Sequence, residues 1–464
     1  MQIPQNFIKK SKENNRFLNK KTKKLNKCSA FLLSGWQDSN LRPPRPKRGA
    51  ITGLRYTPNW LSKLEVQIYS FLLITNNFLF VFSSQNNNEM KLSRLPLVLL
   101  ILFSFFSCKK NKTNDSLTLN SPVTLEYTHE VVVQDLDIPW GFIFLPDGSM
   151  LINEKSGKLI HFKNNKKTTI NGLPEIKVQG QGGLMDIELH PNYNNNGWIY
   201  LSYASSDEGN GANTTIMRCK LENNTLTNKK VLYKAQPDSK RGQHFGSRLA
   251  FDNDGYLYFS VGDRGNRDVN PQNIERDGGK VYRIHDDGRI PVDNPFVKDR
   301  NAKKAIYSYG HRNPQGMVKH PETGKLWAHE HGPRGGDEIN IIALGKNYGW
   351  PVISYGINYS GTKFTEITEK AGMEQPIHYW TPSIAPSGMA FVTSDIYPEF
   401  KGNLLVGSLK FQYLDLCVLD GDKVVREKKF IEGLGRVRSI EQGPDGYIYV
   451  GVENVGIVKI IPKK

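Results

Sequence analysis

Six times between Pro146 and Val450 the chain makes the same local move, a turn centred on a glycine followed by a short run of alternating, aromatic or β-branched residues. The strings are PDGSMLI from Pro146, NNGWIYLS from Asn195, NDGYLYFS from Asn253, ETGKLWA from Glu322, KGNLLVGS from Lys401 and PDGYIYVG from Pro444. Each is a hairpin signature, because a glycine takes the turn conformation that a side chain resists and the run behind it fits a pleated surface. The turn glycines (Gly148, Gly197, Gly255, Gly324, Gly402 and Gly446) stand 49, 58, 69, 78 and 44 residues apart. That spacing suits four-stranded units carrying insertions. Capped helices with a sustained 3.6-residue period are absent, which excludes solenoids built from helices. Six units predict an all-β, six-bladed β-propeller occupying residues 123–464, a ring that protects its own sheet edges. A β-sandwich followed by a second β domain is the competing architecture, but nothing between Ser121 and Lys464 reads as an interdomain linker.

The formal charge of +17 does not belong to that region. Residues 1–107 carry 17 Lys/Arg against 4 Asp/Glu, leaving 45 against 41 for the remainder, a net of only +4. The composition therefore gives no case for a nucleic-acid-binding domain. Residues 90–107 have the layout of a secretory signal: Lys91 and Arg94, then the apolar run Leu95 to Phe106, then Ser107 before Cys108. The ending resembles a bacterial lipoprotein cleavage box, which makes Cys108 the lipidated first residue and residues 108–122 a polar tether. This predicts an exported, periplasmic or cell-surface protein held to a membrane through Cys108. Residues 1–89 are expected to be a non-native, disordered upstream extension. They are rich in Lys and Asn, and SGWQDSNLRPPRPKRGAITGLRYTP resembles the conceptual translation of a transfer-RNA gene, so Met90 is the expected start. Of four cysteines, only Cys219 and Cys417 fall in the folded region, which allows at most one intrachain disulfide there.

Polar, glycine-rich strings interrupt the hairpin pattern where a plain scaffold needs only turns. They are GQGGLMDIELHP from Gly180, GQHFGSRLAF from Gly242, SVGDRGNRD from Ser260, YGHRNPQGM from Tyr309, HEHGPRGGDEINII from His329, NYGWP from Asn347, GSLK from Gly407 and GRVRSI from Gly435. This ordered series, from about Leu136 to Ile461, resembles the soluble aldose sugar dehydrogenases that use pyrroloquinoline quinone (PQQ), the glucose/sorbosone dehydrogenase family. The resemblance implies a six-bladed propeller with PQQ and Ca²⁺ on one face.

It also implies roles, residue by residue. His244 matches the general base and Asp263 the carboxylate that orients it, an arrangement that fixes the imidazole tautomer and raises its basicity. Gln181, Arg312, Asn313, Lys410, Arg436 and Arg438 match cofactor-contacting positions, as a planar tricarboxylate requires. Arg436 and Arg438, two apart, are expected on one face of a strand. Tyr359 and Trp380 are candidates for ring walls or a sugar platform, with ordinary propeller core as the alternative. Gly332 and Pro333 match positions whose carbonyls hold the catalytic calcium, and Glu338 and Tyr348 those of a second, structural calcium. For the last two, a buried salt bridge and a core aromatic is the bland alternative. The implied reaction oxidises the C1 hydroxyl of an aldose to a lactone. His244 takes the proton, Arg312 and calcium stabilise developing charge, and an unidentified acceptor reoxidises the cofactor. Short stretches around Asn213 and between Lys363 and Gln375 favour the broader aldose branch over a glucose-specific one.

Rival chemistries lack their residues. HEH at His329 misses the i, i+4 spacing of a zinc protease, and neither a GxSxG elbow nor a P-loop occurs. Two other readings remain, a calcium-dependent lactonase or hydrolase and a non-catalytic propeller that binds glycans or proteins. The first leaves Lys410, Arg436 and Arg438 without a role, and the second has no need of His244 with Asp263.

Overall fold

The structure, a computed structural model, describes residues 126–463 with the exception of position 208. The expectations placed on residues 1–89, on the signal segment and on Cys108 lie outside those residues. What is described is six four-stranded antiparallel sheets. The innermost strands are Pro139–Phe144, Leu184–Leu189, Leu249–Phe251, Pro314–Lys319, Pro386–Phe391 and Val437–Gln442. Each touches the next, and the last touches the first, so the blades close into a ring. Every one of the six turn glycines sits between the first and second strands of a different blade, with φ between +68° and +82°. The repeat seen in the sequence is thus one structural position used six times.

Closure comes from the N-terminal strand Tyr127–Gln134, which pairs with the C-terminal strand Gly456–Pro462 and completes the sixth blade as its outermost member. Tyr127 meets the rings of Phe400 and Phe430 at 4.9 Å, which ties the strand to the fifth blade as well. Burial follows the strand order. Leu404–Ser408 is buried along its whole length, whereas the outermost Lys423–Glu432 is exposed at most positions.

Among the described residues the apolar core is not one mass but seven clusters: one at each of the six blade-to-blade interfaces, and a smaller one with Trp140, Met185 and Phe245. Leu151, Leu159 and Ile187 fill the interface of the first and second blades, and Leu405, Ile440 and Val450 that of the fifth and sixth. Each such side chain contributes about 1.5–3 kcal/mol on burial, so the ring is held by many comparable joints. Cys219 and Cys417 are both buried and both free, and they belong to different interfaces, so among the described residues no disulfide crosses the fold.

Candidate active site

Antiparallel pairing puts the entry to each innermost strand beside the exit from the second strand of the same blade, at one end of the ring. The candidate residues collect there. Gln181, His244, Arg312, Asn313 and Arg436 precede innermost strands, and Asp263, Gly332, Pro333 and Lys410 follow second strands. Five of the six innermost strands also break register at this end, each with one extra residue. Trp140, Met185, Gln315 and Arg438 are such extra residues, and all four line a small cavity shared with Gln181 and Phe245. A bulge turns a side chain out of the sheet's alternation. Repeated around the ring, it aims four side chains at the axis.

His244 and Asp263 meet here: Nδ1 of His244 donates to Oδ1 of Asp263 at 2.6 Å, and both side chains are buried. The carboxyl stays below its usual range; burial alone would raise it, but His244, Arg312 and the Trp350 indole outweigh burial. His244 itself holds φ +59°, left-handed backbone that a side chain resists by about 1 kcal/mol. Its backbone N–H donates to Gln181 Oε1 at 2.7 Å, so Gln181 sets the path of the segment as well as lining the cavity.

Arg312 adjoins this pair. Its carbonyl accepts from the Asp263 N–H at 2.7 Å. Its guanidinium donates to the His331 carbonyl at 3.0 Å, lies 3.5 Å from the Tyr359 hydroxyl and stands over the Trp350 ring at 5.5 Å. Asn313 is fully buried; its Oδ1 accepts from the Gly246 N–H at 3.1 Å, while its Nδ2 has no hydrogen-bond partner. Buried His331 donates Nε2 to the Pro386 carbonyl at 2.7 Å, and burial holds its pKa well below the ordinary value, so it is neutral.

Several residues that complete the site carried no sequence signal. Glu330, inside the HEH string that excludes a zinc protease, receives His311 Nδ1 at 2.9 Å and the backbone N–H of Arg312 at 2.5 Å. Glu453 takes Arg436 Nε at 2.9 Å and Arg438 through Nε at 3.1 Å and NH2. Lys280, fully buried, donates to the carbonyls of Asn270 and Gly278 and so braces the loop that bears Asp263; burial lowers its pKa to about 7. None shows a local pattern, because each acts on a partner distant in sequence or lying across a loop.

Two expectations need correction. Arg436 and Arg438 do come together, but not as alternate residues on one face of a strand. Arg436 precedes the strand, Arg438 is its bulged extra residue, and their shared anion is Glu453. Trp380 is no wall of the site. It is buried on the outermost strand of the fourth blade among Trp327, Ile339 and Leu404, with its indole N–H on Asp415 and Glu427 at 3.0 Å each. The apolar seam between blades claims the ring before any ligand can.

The positions matched to calcium differ in character. Gly332 lies in a tight loop where a Cβ would come within 2.3 Å of the Gly335 and Gly336 carbonyl oxygens, and its N–H donates to buried Asp337 at 2.8 Å. Among the described residues neither the Gly332 nor the Pro333 carbonyl accepts a backbone hydrogen bond. Glu338 lies beside Glu330 and receives Asn340 Nδ2 at 3.2 Å; burial and that like charge raise its pKa to about 8. The Tyr348 ring stacks on His311 at 4.5 Å in the core between the third and fourth blades. Lys410 is exposed, its ammonium 4.8 Å from the Phe411 ring, and the preceding Leu409 carbonyl receives Arg436 NH1 at 3.1 Å.

The profile of the Glucose / Sorbosone dehydrogenase family matches residues 136–459. The chain belongs to that family. It is 41% identical over 344 residues to aldose sugar dehydrogenase YliI of Escherichia coli, covering 72% of this chain and 92% of the relative. Among solved structures, the soluble aldose sugar dehydrogenase of E. coli in its apo form matches with a TM-score of 0.69 and 40% identity, over 73% of this chain and all of that one. The PQQ-bound aldose sugar dehydrogenase of Streptomyces coelicolor matches with a TM-score of 0.60 and 26% identity, over 73% and 99% of the two chains. These sugar dehydrogenases share the six-bladed ring derived above from hairpins and interblade seams.

Proposed function

We propose that this chain is a PQQ- and calcium-dependent dehydrogenase that oxidises the C1 hydroxyl of aldose sugars to lactones. The observation that carries the proposal is the buried His244–Asp263 pair beside Arg312, at the end of the ring where Lys410, Arg436 and Arg438 also gather. A base at that place needs one imidazole nitrogen held and the other available. Asp263 holds Nδ1 as the donor, which leaves Nε2 with its lone pair to take a hydroxyl proton. Burial strengthens the carboxylate's hold on the imidazolium that results. Arg312 supplies a fixed positive charge next to the pair.

The residues present fit the cofactor. Asn313 offers a buried amide donor with no acceptor of its own, the three cationic side chains suit carboxylates, and Glu453 cancels only part of their charge. PQQ bound there would supply the two-electron acceptor that no side chain provides. Gly332 and Pro333 would hold calcium through their carbonyls, in a loop that leaves no room for a side chain on Gly332. The orphaned Oδ1 of buried Asn340, together with Glu338, fits a second cation, with Tyr348 supplying only its carbonyl. Export and a lipid anchor on Cys108 belong to the same proposal; they rest on the segment at residues 90–108, and intact-mass measurement of the membrane-extracted protein tests them.

Addition of PQQ and Ca²⁺ to the apo protein, followed by dye reduction with a panel of aldoses, tests the function. The expected result is a change in the cofactor spectrum and turnover with several aldoses. In His244→Ala the spectral change persists and turnover falls by a factor of about 10³ or more. Failure of PQQ to bind, or near-normal turnover in that variant, overturns the reading.

A further inference from the structure

Asp263 has two carboxylate oxygens, and base catalysis by His244 uses one of them. Oδ1 accepts from His244 Nδ1 and from the Gly265 N–H at 2.7 Å. Oδ2 accepts from the indole Nε1 of Trp350 at 2.9 Å. We propose that Trp350 is the positioning residue of the His244–Asp263 pair: by holding Oδ2 it fixes the rotation of the carboxylate, so that Oδ1 stays on His244. This rests on the dehydrogenase reading of the site.

The indole can do this because it is itself fixed. Trp350 belongs to the long connection between the third and fourth strands of the fourth blade, which folds back onto the end of the third blade. There the Tyr348 N–H donates to the Tyr309 carbonyl and the Trp350 N–H to the Gly310 carbonyl, each at 2.8 Å, while the Trp350 carbonyl accepts from Gln272 Nε2 at 2.8 Å. Trp350 is 7% exposed. The Arg312 guanidinium stands over it at 5.5 Å and Phe364 meets it edge-on at 5.2 Å; Arg267 lies over Phe364 in turn, at 4.6 Å. One side chain therefore touches both Asp263 and Arg312, two residues whose mutual position the chemistry requires. A tryptophan recruited only to fill space needs its ring and not its N–H. Here the N–H goes to a buried charge, where a hydrogen bond is worth more than between neutral groups.

Trp350→Phe keeps the ring and removes the donor, and it is to be compared in wild-type and Asp263→Asn backgrounds. The expected result is a kcat lowered roughly tenfold to a hundredfold with KM within about twofold, and no further loss when the change is added to Asp263→Asn. An equal factor in both backgrounds, or an unchanged kcat, overturns the proposal. A second measurement uses the apo protein and needs neither activity nor a Trp350 variant. Nitrogen-15 NMR of the wild-type chain and Asp263→Asn follows the Trp350 indole N–H resonance, which is expected to move upfield when the charged acceptor is lost. An unmoved resonance overturns the proposal even if PQQ never binds. A moved resonance in a chain that oxidises no aldose sustains the positioning role and refutes the dehydrogenase reading instead.

Discussion

Arg264, the residue after Asp263, lays its guanidinium over the ring of Phe245, the residue after His244, at 3.4 Å. The same guanidinium donates to the carbonyl of Gln243, the residue before His244, and to those of Arg241 at 3.0 Å and Ala212 at 3.3 Å. The two halves of the proposed catalytic pair are therefore clamped by their sequence neighbours. Arg264→Ala would strip the Gln243 carbonyl of its donor, at about 1–3 kcal/mol if it stays dry, whereas the Arg241 carbonyl keeps Gln179 Nε2 and the Ala212 carbonyl keeps the Ser239 N–H. It would also let the His244 segment drift, where a misplacement of about 1 Å costs up to about a hundredfold in rate. The expected outcome is a large fall in kcat together with a lower melting temperature, and a milder version of both in Arg264→Lys. Full activity in the alanine variant would refute the clamp.

Glu453 supplies the pH-dependent prediction. Burial pushes its carboxyl up, but Arg438 and Arg436 outweigh burial and hold it below the ordinary glutamate range. A carboxyl lowered on folding adds stability above its unfolded value, about pH 4.3, and that contribution disappears as pH falls through the folded value. Glu453→Gln is expected to cost about 3 kcal/mol at pH 7, since it leaves a buried guanidinium without its anion. The gap in melting temperature from the wild type should then narrow as the pH is lowered from 5 toward 3. A gap of constant size would show that Glu453 does not stabilise through charge. PQQ should raise the melting temperature of the variant by more than it raises that of the wild type, because its carboxylates would replace the missing anion.

Much of this was legible in the chain. The six turn glycines mark one position in each blade because a left-handed turn between two strands leaves few residue choices. His244 and Asp263 are legible only through the likeness of GQHFGSRLAF and SVGDRGNRD to the family's motifs, and the structure brings the two side chains together at 2.6 Å. For Trp380 the sequence leaves ring wall and propeller core open, because a tryptophan beside polar strings looks the same whether its ring faces a ligand or an interblade seam, and the structure takes the core. Strand alternation puts Arg436 and Arg438 on one face, which the bulge at Arg438 defeats, and bulges have no sequence signature strong enough to place. Glu453, Glu330 and Trp350 act on residues 15 to 87 positions away, and nothing local to them records that distance.

The two cysteines give a simple test of the fold's joints. Cys219 packs between the first and second blades and Cys417 between the fourth and fifth, both as free thiols. Burial pushes the Cys219 thiol up to about 12, so it is neither a nucleophile nor readily oxidised. The melting temperature should be the same with and without a strong reductant, and thiol reagents should label neither residue until the chain unfolds. Labelling in the native state would show that these seams open.

Glycines at two places should lose different properties to the same methyl group. At Gly262 a Cβ would stand 2.3 Å from the His244 carbonyl oxygen and 2.7 Å from Asn313 Oδ1, both in buried, hydrogen-bonded segments. One of them has to move, and either movement displaces a residue of the proposed site. At Gly255, one of the six hairpin turns, a Cβ meets nothing within 4 Å, and the only cost is its φ of +81°. Gly255→Ala is therefore expected to cost about 1 kcal/mol, a shift of about 2 °C in melting temperature, with kcat unchanged. Gly262→Ala should lose at least about a hundredfold in kcat even where the protein remains folded, because the error falls on the base itself. If the two variants lose activity equally, or if Gly262→Ala keeps it, the crossing of these two segments is not what positions His244.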